Sequence, residues 1–381
     1  MNSIIVIASL LVILVLPDVY IFLLFMRDSG TVAKLLQLMP MLLLFAVLLV
    51  LSRQRSGPWF QVATFFLLCI ALPKFLFMVV SAVGWVAGLM WHKLFTIFNA
   101  LALCLSLTVS LSMFYGMTFG WRQLSVKEVE LAFDDLPDAF DGYTIVQLSD
   151  WHVGTYGENS GFVQKVVDRA NSLRPDLVVF TGDIVNLRSD ELDNFYGSLS
   201  SLSAPDGVVS VLGNHDYGLY RDDYNDDPHE EGFRVARAEA SMGWKVLLNE
   251  HVFVSRGTDS IAVIGVENTG KPPFPRIGDL QKAMQGIDET TFSILLSHDP
   301  SHWRMEVLPD TDIALTLSGH THAAQFKVFG WSPSRWLYPE WSGLYEEGVQ
   351  KLYVSEGIGG TIPFRLGTKP QIVKITLKKK S

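Results

Sequence analysis

Thr144-Ile145-Val146-Gln147-Leu148-Ser149-Asp150-Trp151-His152 joins a short apolar, β-branched run to a polar cluster. Runs of this kind, bounded by glycine and polar residues, read as strands buried on both faces. The arrangement recurs along the chain. Leu177 to Phe180 leads into Thr181-Gly182-Asp183, and Val208 to Leu212 into Gly213-Asn214-His215-Asp216. Ile294 to Leu296 leads into Ser297-His298-Asp299, and Ile313 to Leu317 into Ser318-Gly319-His320-Thr321-His322. Between the first runs, Gly161 to Ser172 spaces Val163, Val166, Val167 and Ala170 at helical intervals, which predicts an amphipathic helix. Strand, helix and strand in alternation predict an α/β fold with helices on the sheet faces. In such folds ligands bind beyond the carboxyl ends of the strands, where every one of these polar clusters falls.

The chain has 9 histidines, and His152, His215, His298, His320 and His322 stand in these clusters beside Asp150, Asp183, Asn214 and Asp216. Residues two apart on an extended segment share a face, so Asp150 with His152, and His320 with His322, are each expected to aim two donors into one cavity. Oxygen and imidazole donors without a thiolate suit Mn, Fe or Zn. The candidate ligands Asp150, His152, Asp183, Asn214, His298, His320 and His322 are too many for one open catalytic ion and suit two ions sharing a carboxylate. A single Gly-Asp or His-Asp cluster reads better as turn chemistry or a hydrogen-bonded pair. Successive clusters, each closing an apolar run, do not.

Taken together, Asp150-Trp-His152, Gly182-Asp183, Gly213-Asn214-His215-Asp216, His298 and Gly319-His320-Thr321-His322 resemble the calcineurin-like metallophosphoesterase superfamily. The resemblance runs from about Tyr143 to the C-terminus and is closest to the bacterial membrane-associated branch. It implies a four-layer α/β/β/α sandwich, with two sheets face to face and helices outside. It assigns Asp150, His152 and His322 to one divalent ion, Asn214, His298 and His320 to a second, and Asp183 to both as a bridge. In the family, the histidine matched by His215 gives a proton to the leaving oxygen or stabilises its charge, and Asp216 is expected to orient His215. Where that branch continues with Gly-Gly-Gln, this chain has Ala323-Ala324-Gln325, a departure in the loop below the metals. The chemical reason for such a set is that an anionic phosphoester repels an attacking hydroxide, and paired cations remove that repulsion while lowering the pKa of a water.

Composition separates the chain into two solvents. Of 381 residues, 49% are hydrophobic and 18% charged, against about a quarter charged in an average soluble domain. Residues 1–120 carry 6 basic and 2 acidic residues, a net of +4, whereas the rest carry 24 and 37, a net of −13. An acidic second part excludes a nucleic-acid surface, which shows as a basic stripe. The 2 cysteines, Cys69 and Cys104, lie in the apolar part, which excludes a disulfide-stapled fold. Ile4 to Met26, Leu35 to Leu51, Phe60 to Val86 and Leu94 to Phe119 approach the length of about 20 residues that a spanning helix needs, so we expect about four transmembrane helices. The first lacks a basic n-region and is not read as a signal peptide. Asp18 and Lys74 fall inside two of these segments; the cost of a buried charge favours a kink near the headgroups, or segments shorter than these bounds, over a polar path or an ion pair between helices. Arg53, Arg55, Arg122 and Lys127 lie on the side of the termini, against Arg27, Lys34 and Lys93 on the other, which leans toward a cytoplasmic C-terminal domain.

The expected organisation is a transmembrane region over 1–120, a linker over 121–142 and a metallophosphoesterase domain over 143–381. Residues 222–231 are acidic but lack the glycine of a calcium loop and read as a solvated loop, with His229 exposed. Trp331, Trp336, Tyr338, Trp341 and Tyr345 form either a lip that admits a lipid or the packing of an irregular loop. Arg365 is placed to meet a phosphate or a surface carboxylate, and Lys378, Lys379 and Lys380 read as a solvated tail. The expectation is a phosphoesterase in the plasma (inner) membrane holding two divalent ions. Its substrate is expected to be a phosphoester or pyrophosphate, possible lipid-linked examples being UDP-diacylglucosamine or a phospholipid, with membrane lipids as partners. The alternatives are a general phosphodiesterase on soluble substrates and a non-catalytic membrane sensor or scaffold.

Overall fold

The computed structural model describes residues 3–51, 58–221 and 228–380. It divides into two compact units, Met1–Phe119 and Gly120–Ser381.

The first unit is helical. Helices cover Ser3–Ile21, Thr31–Leu51, Pro58–Phe66, Leu72–Gly88 and His92–Thr118, with one-turn π segments at Phe22–Met26 and Leu67–Ala71. Each apolar stretch expected to span is therefore helical. Among the described residues, however, only Trp59–Gly88 and His92–Arg122 are long and apolar enough to cross a bilayer, while Val12–Met26 and Thr31–Phe45 are shorter. Asp18 and Lys74 form the ion pair between helices: Lys74 Nζ donates to Asp18 Oδ1 at 2.7 Å and to the Gln37 carbonyl at 3.0 Å, and Gln37 Nε2 donates to the same Asp18 oxygen at 2.6 Å. Pairing removes the penalty that argued against a buried charge. The partners lie far apart in sequence, so no local pattern announces them.

Among the described residues, the second unit holds two six-stranded sheets. Its strands are β1 (Ser125–Phe133), β2 (Thr144–Leu148), β3 (Leu177–Phe180), β4 (Val208–Ser210), β5 (Lys245–Val246) and β6 (Glu250–Arg256). They continue with β7 (Asp259–Gly265), β8 (Ser293–Leu296), β9 (Leu315–Ser318), β10 (Gly343–Glu347), β11 (Gln350–Val354) and β12 (Gln371–Lys379). One sheet runs β1-β12-β2-β3-β4-β5 and the other β10-β11-β9-β8-β7-β6. Within them β2 to β5 are mutually parallel, as are β7, β8, β9 and β11. Every apolar run singled out in the sequence is a strand at or near its expected position.

Strand alternation explains the layering. Ile145, Val179 and Val209 of the first sheet point inward and pack with Ile261, Val263, Ile294 and Leu315 of the second. Their neighbours along the strands, Val146, Leu148, Val178 and Phe180, face outward against Val163, Val166, Val167 and Ala170 of the helix Gly161–Ser172. On the far side Ala262, Ile264 and Leu295 pack with Leu280, Trp303 and Val307. Helix, sheet, sheet and helix therefore follow one another because each central strand is apolar on both faces. Truncating a wholly buried member such as Ile294 to alanine costs roughly 2–5 kcal/mol.

Two boundaries move. The stretch 121–142, expected to be a linker, contains β1, which pairs in parallel with β12 from Ser125↔Gln371 to Phe133↔Lys379. The lysines expected to be a solvated tail extend that pairing: Lys378 and Lys379 belong to β12, and Lys380 Nζ meets Asp134 Oδ2 at 2.7 Å. Charged residues, Lys127, Glu128 and Glu130 in β1 and Lys378 and Lys379 in β12, hide the strand signal. Residues 222–227 of the acidic segment lie outside the described residues; Pro228–Ser241 is helix, and His229 is exposed there.

Candidate metal centre

The polar clusters all follow the carboxyl ends of parallel strands. Asp150 and His152 follow β2, Asp183 follows β3, Asn214 to Asp216 follow β4, His298 follows β8, and His320 and His322 follow β9. The local backbone is not extended, contrary to the expectation for residues two apart. Asp150, His152, Asp183, His320 and His322 have φ of 54°, 47°, 60°, 71° and 49°. Left-handed backbone costs a non-glycine residue roughly 1–2 kcal/mol. Strain of this kind persists where the surrounding structure fixes it, and it collects at functional sites. Here it is fixed by close approach: a Cβ on Gly213 would lie 2.3 Å from Asp183 Oδ1, and one on Gly319 would lie 1.9 Å from Ser149 Oγ.

Among the described residues two donor groups result, sharing one carboxylate. Asp150, His152, Asp183 and His322 form the first, and Asp183, His298 and His320 the second. In the first, His152 Nε2 and His322 Nε2 are 3.3 Å apart, and Asp183 Oδ2 lies 3.6 Å from His152 Nε2. In the second, His320 Nδ1 and His298 Nε2 are 3.2 Å apart, and Asp183 Oδ2 lies 3.1 Å from His298 Nε2. Ligands about 2.1 Å from a tetrahedral ion sit about 3.4 Å from one another, so these spacings fit a cation. Asn214 supplies an independent test. Its Nδ2 donates to Tyr220 Oη at 2.7 Å, which leaves Oδ1 buried without a hydrogen-bond partner among the described residues and free for a cation.

Protonation favours the same reading. Burial, the largest influence, pushes His152 and His322 down to about 3 and also lowers His320, so these rings present lone pairs at neutral pH. Burial pulls His298 down as well, but Asp183 outweighs it and holds the ring up at about 10. Asp183 is itself held well below the ordinary carboxylate range, with the neighbouring imidazoles overcoming its burial. His298 Nδ1 donates to the Thr181 carbonyl at 2.7 Å, which fixes Nε2 as the nitrogen turned toward Asp183. A divalent ion bound here would displace a proton from His298.

His215 lines the cavity, but Asp216 does not orient its ring. His215 Nδ1 lies 2.7 Å from the Asn186 carbonyl. Asp216 instead accepts from the backbone N–H groups of Asp183, Gly213, Ile184 and Val185 at 2.8, 2.8, 2.9 and 3.2 Å. Its carboxylate is consumed in fastening the two ligand loops together. Arg365 is buried rather than at the surface, and it donates to the carbonyls of Glu356, Gly357, Gly359 and Lys369.

Two tyrosines join the site without a sequence signal for that role. Tyr338 Oη lies 2.7 Å from His320 Nε2, and the Tyr220 ring lies 4.3 Å from that of His215. Both stand in irregular segments, where no periodicity places them. Above the donors opens a cavity of about 540 Å³ walled by Lys271, Pro272, Phe274, Pro333, Leu337 and Tyr338.

A double sheet with helices outside, bearing paired Asp/His donor groups around one shared carboxylate, defines a metal-dependent phosphoester hydrolase. The chain belongs to the calcineurin-like phosphoesterases, whose family pattern matches residues 143–324. It is 32% identical over 261 residues to the uncharacterized metallophosphoesterase YkuE of Bacillus subtilis, covering 64% of this chain and 82% of that one. It is also 32% identical over 291 residues to a zebrafish (Danio rerio) transmembrane protein with metallophosphoesterase domain, covering 74% of this chain and 63% of the relative's length. The UDP-2,3-diacylglucosamine pyrophosphatase LpxG of Chlamydia muridarum is 27% identical over 283 residues, covering 61% of this chain and 82% of LpxG.

Proposed function

We propose that this chain is a multi-pass membrane phosphoesterase with two divalent ions, Mn, Fe or Zn, that cleaves a phosphoester or pyrophosphate bond of a lipid-linked substrate. The observation that carries the reading is the pair of donor groups meeting at Asp183. Asp150, His152 and His322 hold one ion, Asn214, His298 and His320 the other, and Asp183 both. When bound, the ions neutralise the phosphoryl oxygens and make a water acidic enough to attack phosphorus. His215, with Nδ1–H donating to the Asn186 carbonyl, keeps Nε2 for the leaving oxygen, to which the ring in its imidazolium form would give its Nε2 proton, reverting to the neutral Nδ1–H form. Tyr338 and Tyr220 hold His320 and Asn214 in the orientations that ligation requires.

The layout we propose is a membrane region over 1–120 with about four spans and a catalytic domain over 143–381, facing the cytoplasm of a plasma (inner) membrane. The lipid-linked substrate is supported by the apolar helices, by the apolar cavity wall and by the likeness to LpxG, whose name specifies a lipid pyrophosphate. Purified full chain with Mn is assayed on bis-p-nitrophenyl phosphate, a phosphomonoester and UDP-2,3-diacylglucosamine. The expected result is a kcat/KM on the lipid pyrophosphate at least about tenfold above the soluble diester, roughly 1.4 kcal/mol of preference. Equal or better turnover of the soluble diester would replace this reading with that of a general phosphodiesterase.

A further inference from the structure

We propose that the segment from Phe326 to Tyr338 is a membrane-entering lip that seats in the interfacial layer of an anionic bilayer at the mouth of the cavity. Val328 and Trp331 close a two-residue hairpin, Val328 N–H donating to the Trp331 carbonyl at 2.9 Å and Trp331 N–H to that of Val328 at 3.0 Å. The tip is Phe329-Gly330, with φ of 49° and 79°. Turns of this geometry favour Asn-Gly, because a positive φ strains a bulky residue. Phe329 nonetheless occupies the strained position with its side chain wholly in solvent, at 105% exposure, and in the same segment Trp336 is 76% and Leu337 73% exposed. Neither backbone preference nor internal packing accounts for a phenylalanine there, whereas an apolar medium outside the protein does.

Charge and continuity identify that medium. The segment contains Lys327 and Arg335 and no acidic residue, although the chain beyond position 120 has a net charge of −13. Lys327 pairs with Glu356, while Arg335 is exposed beside Trp336. A basic residue next to exposed aromatics suits an anionic lipid surface, where tryptophan favours the headgroup level. Leu337, Tyr338 and Pro333 belong at once to this segment and to the cavity wall, so an acyl chain leaving the lipid layer meets apolar surface on its way to the donors. The inference deepens the lipid-substrate reading and rests on it for that last step; contact with the bilayer stands on the lip alone.

The test uses the full chain with Cys69 and Cys104 changed to serine, reconstituted in phosphatidylcholine vesicles containing phosphatidylglycerol. Nitroxide labels are placed separately at Phe329→Cys, Trp336→Cys and, as a control at the opposite ends of the strands, Glu289→Cys. Collision rates with oxygen and with a water-soluble nickel complex report depth. Labels at 329 and 336 are expected to favour oxygen and the label at 289 nickel. Nickel-favouring rates at 329 and 336 would overturn the proposal. So would labels shielded from both reagents and dipolar-coupled to each other, which would mean that a second copy covers the lip. Turnover of bis-p-nitrophenyl phosphate by the labelled chains separates this outcome from failure of the hydrolase reading, since depth is measured without substrate.

Discussion

His215 and Asp216 are neighbours with separate tasks. The ring of His215 is 4.7 Å from that of His152 and lines the cavity without belonging to either donor group. His215→Ala is therefore expected to retain its metal, measured by plasma mass spectrometry, while kcat falls about 10²-fold or more on the usual worth of a positioned acid. An unchanged kcat would remove His215 from the chemistry. Asp216→Ala behaves differently, because it strands buried N–H groups that each cost about 1–3 kcal/mol when unsatisfied. Its expected signature is a large fall in Tm together with lost metal, whereas a residue that merely aligned His215 would lower kcat alone. The clustering of the candidate ligands was legible in the sequence because each follows a strand closely. The role of Asp216 was not, since its partners are backbone amides contributed largely by another loop.

At the scale of the element, the loop after Gly319-His320-Thr321-His322 turns through Ala323, Ala324 and Gln325 at φ of 50°, 50° and 54°. Gln325 fastens it by donating from Nε2 to the carbonyls of Ile362 and Phe364 at 3.0 and 2.7 Å. Ala324 is exposed and its left-handed backbone is one that glycine adopts without the Cβ penalty. Ala324→Gly is expected to raise stability by up to about 1 kcal/mol in urea unfolding; a loss of that size would contradict the strain. The helix Pro228–Ser241 offers a pH test through Glu239, fully buried and accepting from Ser210 Oγ at 2.6 Å. Burial raises its carboxyl well above 4.5, with the Asp216 charge adding to the effect. The folded state thus holds a proton that the unfolded chain releases, so this group's stabilisation is present below about 4.5 and is lost as pH climbs toward its folded value. Glu239→Gln should flatten the decline in Tm on the alkaline side, and an unchanged pH profile would show the carboxyl to be ionised in the fold. Central strands and the helix Gly161–Ser172 were legible from apolar spacing. Strand β1 and the lysine-rich end of β12 were not, because their charged edge positions imitate solvated chain.

For the whole molecule, the donor groups draw on both sheets, so ions held at Asp183 would tie β2 and β3 to β8 and β9. Metal that binds only the folded state stabilises by about 2.7 kcal/mol at a hundredfold excess over Kd, and chelation should lower Tm accordingly. The measurement that tests the account most directly is metal content and turnover of purified wild-type and Asp183→Asn chains after chelation and Mn addition. Two ions per chain and hydrolysis in the wild type, with fewer ions and no hydrolysis in Asp183→Asn, are the expected results. Wild-type turnover by the Asp183→Asn chain would contradict a centre built around that shared carboxylate.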